Sequence, residues 1–240
     1  MRAGPWYSSG HGEPWIWGRQ SDNDPPPAHV ESGGRLCCPW ARPRILCRHA
    51  NNNHDRRFLM NKSAIQTFEL WPETMEALTR AGLLLNTADT TGKANTMTIG
   101  WLTGGVIWSR PVLIVLVRPS RFTYSRLEQV PEFTVNVLPP ASAAALEHCG
   151  TVSGRDHDKF AETGLTLAPA QKVRVPVIKQ AVVNYECRVV HRNDVIPANL
   201  ADEIKARAYQ TGDFHRVYFG EVLAAYAVRE AREELRRGAR

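Results

Sequence analysis

Six consecutive apolar residues, Val112 to Val117, constrain the fold more than any other segment of this chain. They read Val-Leu-Ile-Val-Leu-Val, and a short run without polar residues is typical of a β-strand buried on both faces. The run is far too short to span a bilayer, so no membrane association is expected. A strand with two covered faces needs further layers around it, and a chain of 240 residues with 43% hydrophobic content can supply them.

The segments around this run predict a β-rich domain with short helices. Strands are expected at residues 83–88, 95–101, 132–137, 181–191 and 215–227, and helices at residues 72–80, 122–129, 142–148 and 158–162. Asp156 is the expected N-cap of the last helix, and a helical insertion at residues 199–209 precedes the final strand. No Gly-x-Gly-x-x-Gly motif follows any strand, so a dinucleotide-binding fold is unsupported. The pattern predicts a mainly β, α+β domain built on a closed barrel.

The N-terminal quarter differs in composition from the rest. Residues 1–59 contain four of the seven tryptophans and no lysine, and they show neither helical nor strand periodicity. We interpret them as a disordered or spurious extension, with Met60 as the initiator of a domain at residues 60–228. A charged helical tail is expected at residues 229–240. The potential zinc ligands in the extension lack Cys-x2-4-Cys spacing, so no metal site is predicted; they are Cys37, Cys38, Cys47, His49 and His54.

The charge and the cysteine content indicate which partners and which cellular compartment to expect. The formal charge of +6 comes from scattered basic residues, so no nucleic-acid partner is expected. The five cysteines form no spaced disulfide framework, and no signal peptide is visible. We therefore expect a cytoplasmic protein.

A phosphate site is predicted where the central strand meets the next helix. Ser120 and Thr123 offer hydroxyl groups beside the free N–H groups of the first helical turn, and Arg118 and Arg121 add forked cationic donors. Helix N-termini and guanidinium groups both favour anions. The alternative is a capped helix with solvated arginines.

Two further segments carry polar side chains at element ends. Along residues 95–101, Asn95, Met97, Ile99 and Trp101 share one face, which predicts contact with a flat ring or, alternatively, an amphipathic strand with Trp101 in the core. In the loop at residues 153–159, glycine allows close approach of the backbone to a ligand and a lysine supplies a point charge. A surface loop with mutually paired charges explains that loop equally well.

A histidine and a cysteine that could take part in catalysis are each better explained by a structural role. His215 stands alone at the start of the last strand, as structural histidines commonly do. Cys149 follows an alanine-rich helix without a histidine and carboxylate partner, so a buried thiol is expected rather than a nucleophile. No catalytic residue is assigned.

Taken together, these segments resemble the flavin reductase-like family with the FMN-binding split-barrel fold, nearest to its flavoredoxin-like members. The resemblance covers roughly residues 68–227. It is carried by Asn-Thr-Met-Thr with Trp six residues after the Asn, Arg-Pro-x-Arg-Phe-Thr, Cys-Gly-x-x-Ser-Gly-Arg-Asp-x-Asp-Lys and His-Arg-x-Tyr-x-Gly-Glu.

The resemblance implies a split β-barrel of Greek-key type with short peripheral helices. It also implies a homodimer with non-covalent FMN near the subunit interface. The cofactor-binding residues that it implies are Asn95, Thr96, Met97, Thr98 and Trp101 for the ring and ribityl chain, Arg118, Ser120, Arg121 and Thr123 for the phosphate, and Ser153, Arg155, Lys159 and His215 around the flavin.

The implied activity is that of an oxidoreductase. A hydride or electrons would pass from NAD(P)H through FMN to a small-molecule or redox-protein acceptor. Lys159 or His215 would tune the flavin by placing positive charge beside it. The alternative is a non-catalytic FMN-binding or electron-carrier protein without NAD(P)H activity of its own.

Overall fold

The computed structural model of this chain describes residues 62–237. The predicted N-terminal extension, its cysteines and histidines, Met60 and the last three residues of the predicted tail lie outside the described residues. Ten strands are present in the described part: β1 (Lys62–Ala64), β2 (Leu83–Ala88), β3 (Ala94–Ile99), β4 (Leu102–Ile107), β5 (Arg110–Val117), β6 (Glu132–Val137), β7 (Leu167–Ala168), β8 (Val177–Ile178), β9 (Val183–Asp194) and β10 (Arg216–Val228). The helices are α1 (Trp71–Ala81), α2 (Phe122–Gln129), α3 (Ala143–Thr151), α4 (Lys159–Thr163), α5 (Asp202–Ala208) and α6 (Ala231–Arg236), with short 3-10 turns at Pro140–Ser142 and Pro197–Asn199.

The apolar run forms most of β5, as predicted. Four of its six residues are fully buried, whereas Ile114 and Leu116 are partly exposed. Ile114 and Leu116 lie on the same face of β5, so this face is less completely covered than the opposite one.

Strand β4 was not predicted, because glycines occupy two of its six positions and glycine disfavours strands. A Cβ atom added at Gly104 would lie 2.7 Å from the Leu113 side chain and 2.9 Å from the Trp71 ring. The close packing of β4 on α1 therefore requires glycine at this position.

Eight strands form one antiparallel sheet in the order β3-β2-β6-β9-β10-β5-β4, with β1 also paired to β10. The two ends of this path, β3 and β4, follow each other in the chain and are linked only by Gly100 and Trp101. The sheet must therefore curl until its two ends are neighbours. Within residues 62–237, however, β3 and β4 do not pair, so the expectation of a closed barrel is wrong and the barrel is split at this point.

The main core fills the curled sheet, with Phe133, Tyr185 and Tyr218 among its fully buried side chains. Outside the sheet, α6 is held against α1 by ion pairs to the buried carboxylate of Glu73, which accepts from Arg232 at 2.9 Å and from Arg236 at 3.1 Å. Among residues 62–237, no helix has the length and apolar character needed to cross a membrane.

Candidate functional site

A cavity of about 310 Å³ lies beside the split between β3 and β4. Strand β3 and the two residues after it, the end of β5, the start of α2, the end of α3 and the residue before β10 all contribute to it. Every predicted site residue except Thr96 lines it, namely Asn95, Met97, Thr98, Trp101, Arg118, Ser120, Arg121, Thr123, Ser153, Arg155, Lys159 and His215. Strand pairing explains part of this convergence. Val117 lies opposite Arg216, so the adjacent residues Arg118 and His215 meet at one end of the cavity.

The first turn of α2 faces the cavity without a side-chain cap, because the N-cap residue Arg121 makes no capping hydrogen bond. Its N-terminal N–H groups therefore present partial positive charge to the cavity. The Thr123 hydroxyl oxygen accepts a hydrogen bond from Asn95 Nδ2 at 2.9 Å, which leaves the hydroxyl proton free to donate. Both of these side chains are buried, so they are fixed in place by the fold.

The loop after α3 comes very close to this pair. A Cβ atom at Gly154 would lie 2.0 Å from Asn95 Oδ1 and 3.2 Å from the Phe122 ring. No other residue fits at this position without displacing Asn95. Glycine therefore lets the loop line the cavity while Asn95 keeps its bond to Thr123.

Four cationic side chains line the cavity, and no carboxylate is among the lining residues of the described chain. Arg121 is exposed. Arg155 donates from Nη1 to the Ser120 carbonyl at 3.2 Å, and its guanidinium lies 5.4 Å from the centre of the Phe122 ring. The cavity is therefore suited to an anion.

Arg118 contacts a segment that lies across the strand end, residues 208–215, here called the strap. Its Nη2 donates to the Ala208 carbonyl at 2.7 Å, and its Nη1 donates to the Asp213 carbonyl at 3.2 Å. Ser120 also contacts the strap: its N–H and its hydroxyl donate to the two carboxylate oxygens of Asp213, at 3.2 and 2.6 Å. Two of the four predicted phosphate ligands are thus hydrogen-bonded to the strap.

Lys159 is buried beneath the cavity, and its Nζ donates to the carbonyls of Thr96 at 3.0 Å and Cys149 at 2.8 Å. Burial lowers the pKa of this lysine. An ammonium group has three donors, so one remains after these two bonds. The Thr96 side chain is fully buried and is not part of the cavity lining, although Thr98, on the same face of β3, does line the cavity.

The structure also shows the N-cap of α4 and the surroundings of the Cys149 thiol, both close to Lys159. The N-cap of α4 is Asp158, which accepts from the Ala161 N–H, so the prediction of Asp156 is wrong. Cys149 is buried, and burial raises the pKa of its thiol, which confirms the buried-thiol prediction.

His215 and Trp101 form the far side of the cavity. Burial, together with the positive charge of Arg118, lowers the pKa of His215 to about 4. Its Nδ1 is hydrogen-bonded to the Tyr209 hydroxyl at 2.8 Å, and its ring lies 4.7 Å from the Trp101 ring. The Trp101 side chain is 44% exposed, so the alternative that places it in the core is wrong.

Sequence reasoning missed the strap residues Tyr209 and Asp213. Tyr209 falls at the end of the predicted helical insertion, and Asp213 belongs to no motif. The only unusual feature of these residues is their backbone conformation, because Gly212 and Asp213 both adopt positive φ, at 77° and 57°. Glycine and aspartate are among the residues that tolerate this conformation, but many surface turns share it.

The protein is therefore a split antiparallel barrel with a cationic cavity at its opening. Residues 75–238 match the family described as "Flavin reductase like domain", so the chain belongs to this family and the resemblance predicted from the sequence is confirmed.

Three known proteins illustrate the relationship. An uncharacterized protein of Archaeoglobus fulgidus is 33% identical over 131 residues, which are 55% of this chain and 64% of that protein, less than two thirds of its length. The structure of a flavoredoxin from Methanosarcina acetivorans is 27% identical with a TM-score of 0.50, over 62% of this chain and 70% of that one.

The third is an FMN-binding domain of a flavin reductase-like enzyme from Shewanella baltica. It is 18% identical with a TM-score of 0.50, over 70% of this chain and 78% of that one. At this identity the likeness concerns the fold alone. The predicted fold class, a mainly β split barrel with short peripheral helices, is confirmed.

Proposed function

We propose that this chain is an FMN-binding oxidoreductase, which passes a hydride or electrons from NAD(P)H to an acceptor. Membership of the flavin reductase-like family supports the chemistry. The observation that carries the proposal for this chain is the uncapped N-terminus of α2, which faces a cavity lined by four cationic side chains.

The donors at this end of the cavity fit a phosphate group. Helix N–H groups, a guanidinium and a hydroxyl proton are the groups that commonly bind phosphate, and α2, Arg121 and Thr123 supply them. In the structure, both donors of Ser120 are bonded to the strap, so they are available to a phosphate only if the strap moves, and Arg118 also donates to strap carbonyls. We therefore propose Arg121, Thr123 and the α2 backbone as the main phosphate ligands.

The ring and ribityl chain would lie along the other residues of the cavity. Asn95, Met97, Thr98 and Trp101 would contact them from β3 and the residues that follow it, and Ser153 and Arg155 would contact them from the adjoining loop. The Gly154 position lets that loop approach closely. The exposed Trp101 ring offers an aromatic surface at the cavity mouth.

When bound, FMN would supply hydride and one-electron transfer chemistry. The residues of this chain bind and orient it, and this chemistry requires no general acid or base from the protein. Because the pKa of His215 is lowered to about 4, this histidine is neutral at pH 7 and provides a hydrogen bond rather than a charge. Lys159, with one ammonium proton still available, is the better candidate for stabilising negative charge on the reduced ring.

The reductase activity is tested by mixing purified protein anaerobically with FMN and either NADH or NADPH. Loss of the visible flavin absorption with one of the two donors is the expected result. Bound flavin that stays oxidised with both donors contradicts the reductase proposal and favours the electron-carrier alternative.

The phosphate site is tested by the substitutions Arg121→Ala and Thr123→Val. Each removes one charge-assisted hydrogen bond to the phosphate, so FMN should bind about tenfold to a hundredfold more weakly. Riboflavin, which has no phosphate, should bind Arg121→Ala as it binds the unmodified protein. Arg110→Ala is the matched control, because Arg110 lies outside the cavity in an exposed ion pair with Glu221. Unchanged FMN affinity in both test variants contradicts the proposed site.

A homodimer is part of the proposal, with a second copy of this chain covering an exposed apolar face. Val106 and Trp108 are 72% and 58% exposed, and the Trp108 ring lies 6.0 Å from the Phe219 ring on β10. Large apolar side chains gathered in this way are typical of protein interfaces. Light scattering should give the mass of a dimer, and Trp108→Lys should give a monomer. The cytoplasmic location and the nature of the acceptor stay predictions.

A further inference from the structure

The strap turns a carboxylate toward the start of α2. Gly212 and Asp213 adopt positive φ one after the other, and Arg118 holds the carbonyls of Ala208 and Asp213. The buried Tyr209, next to Ala208, is hydrogen-bonded to His215, next to Asp213, so this bond joins the two ends of the strap. Contacts at both ends therefore fix the position of Asp213.

The Asp213 carboxylate has the bonding pattern of a bound anion. One oxygen accepts the Ser120 N–H at 3.2 Å and the other accepts the Ser120 hydroxyl at 2.6 Å. A backbone amide and a hydroxyl just before a helix N-terminus are also donors that a phosphate would use. Arg118 contributes to the same end of the cavity, and Arg121 and Arg155 line it as well.

We propose that Asp213 is a specificity-determining residue, which competes with the flavin phosphate for the Ser120 donors and keeps FMN exchangeable. This inference rests on the proposed function, because it takes the segment from Arg118 to Thr123 as the phosphate site. A phosphate that enters must displace the carboxylate from Ser120 or bind beside it against like-charge repulsion. Asp213 therefore lowers the affinity for FMN and leaves the affinity for riboflavin, which carries no phosphate, unchanged.

The substitution Asp213→Asn tests this role. Asparagine keeps the size of the side chain and one oxygen acceptor for Ser120, and it removes the negative charge. Fluorescence titration should show FMN bound roughly tenfold more tightly, the factor that corresponds to ~1.4 kcal/mol. Riboflavin affinity should change by less than about twofold, and the gain for FMN should shrink as salt is added.

Asp202→Asn is the matched control, because Asp202 is an exposed carboxylate in the first turn of α5, close to the strap in sequence. It removes the same charge and should leave both affinities unchanged. Tighter FMN binding by this control as well would show a general charge effect and would overturn the proposal. Urea unfolding of both variants would verify that they are folded.

The remaining outcomes are also decisive. Equally weakened binding of FMN and riboflavin by Asp213→Asn would show that Asp213 only anchors the strap. Unchanged affinities would show that Asp213 does not compete with the phosphate. Either result overturns the proposal for Asp213 and leaves the proposed function standing. Failure of the unmodified protein and of Asp213→Asn to bind either flavin would overturn the proposed function and, with it, the role of Asp213.

Discussion

The two walls of the cavity are held in different ways. The first wall, formed by the end of β3, the start of α2 and the loop at Gly154, rests on the sheet, and the Asn95–Thr123 pair within it is buried. The second wall is the strap, which contributes His215 to the cavity lining and in which only Tyr209 and His215 are buried. Polar contacts to Arg118 and Ser120 hold the rest of it. The first wall is therefore fixed as soon as the sheet folds, whereas the second can exchange its contacts for those of a ligand or of water.

Acidification should reveal the largest effect, on the strap side. The pKa of His215 is about 4 in the folded protein and about 6.5 in an unfolded chain. Between these values the unfolded state binds more protons, so the free energy of unfolding falls as the pH falls from 6.5 to 4, by up to about 3 kcal/mol. Urea unfolding at several pH values would measure this loss.

The variant His215→Gln is the control for this experiment. Groups that titrate in both proteins, such as Glu162, contribute equally to the two curves. Their difference therefore isolates His215. Parallel curves would show that His215 is not held in its neutral form, and the strap wall would then be looser than described.

Gly154→Ala should have the next largest effect, on the first wall. The added methyl group would lie 2.0 Å from Asn95 Oδ1, so Asn95 must leave Thr123, and such overpacking costs about 1–3 kcal/mol. We expect a lower free energy of unfolding and weaker FMN binding. Gly105→Ala is the control, since no atom lies within 4 Å of its added Cβ. Equal stability of the two variants would contradict the close approach of this loop.

Arg118→Ala should separate the two walls. Three strap carbonyls, at Ala208, Gly212 and Asp213, lose their donor. Hydrogen exchange in residues 208–215 should therefore become at least about tenfold faster, which corresponds to a local loss of ~1.4 kcal/mol. Exchange in β2 and β6 should stay unchanged. Faster exchange throughout the sheet would show that the strap is part of the cooperative core.

Tyr209→Phe should have the smallest effect. It removes the hydroxyl bonded to His215 and keeps the ring that stacks on Phe214 at 4.6 Å. The expected loss in the free energy of unfolding is about 1 kcal/mol, measured by urea unfolding at pH 7. Thr79→Ala, which removes an exposed hydroxyl from α1, is a suitable comparison. A larger loss in Thr79→Ala than in Tyr209→Phe would contradict a structural role for the Tyr209–His215 bond.

The difference between the walls also explains what the sequence could predict. The first wall follows local rules: α2 starts after Pro119, its first turn leaves N–H groups free, and β3 places Asn95 beside Thr123. Such features can be read from short segments. The strand rule does not separate Thr96 from Thr98: the Thr96 side chain is buried outside the cavity lining, and its carbonyl accepts a hydrogen bond from Lys159.

The strap could not be predicted in this way. The Ser120–Asp213 contact joins residues 93 positions apart, and nothing near Asp213 marks it as part of a site. The opening of the barrel could not be predicted from short segments either. The absence of pairing between β3 and β4 depends on the curl of the whole sheet, and the glycines in β4 conceal one of the two strands.

A crystal structure of the full chain with FMN would show whether the cavity beside α2 holds the flavin phosphate. We expect the phosphate within hydrogen-bond distance of the α2 N-terminal N–H groups, Arg121 and Thr123, with the ring beside Trp101 and the Asp213 carboxylate moved away from Ser120. A flavin bound outside this cavity, or a phosphate that makes no contact with α2, would contradict it.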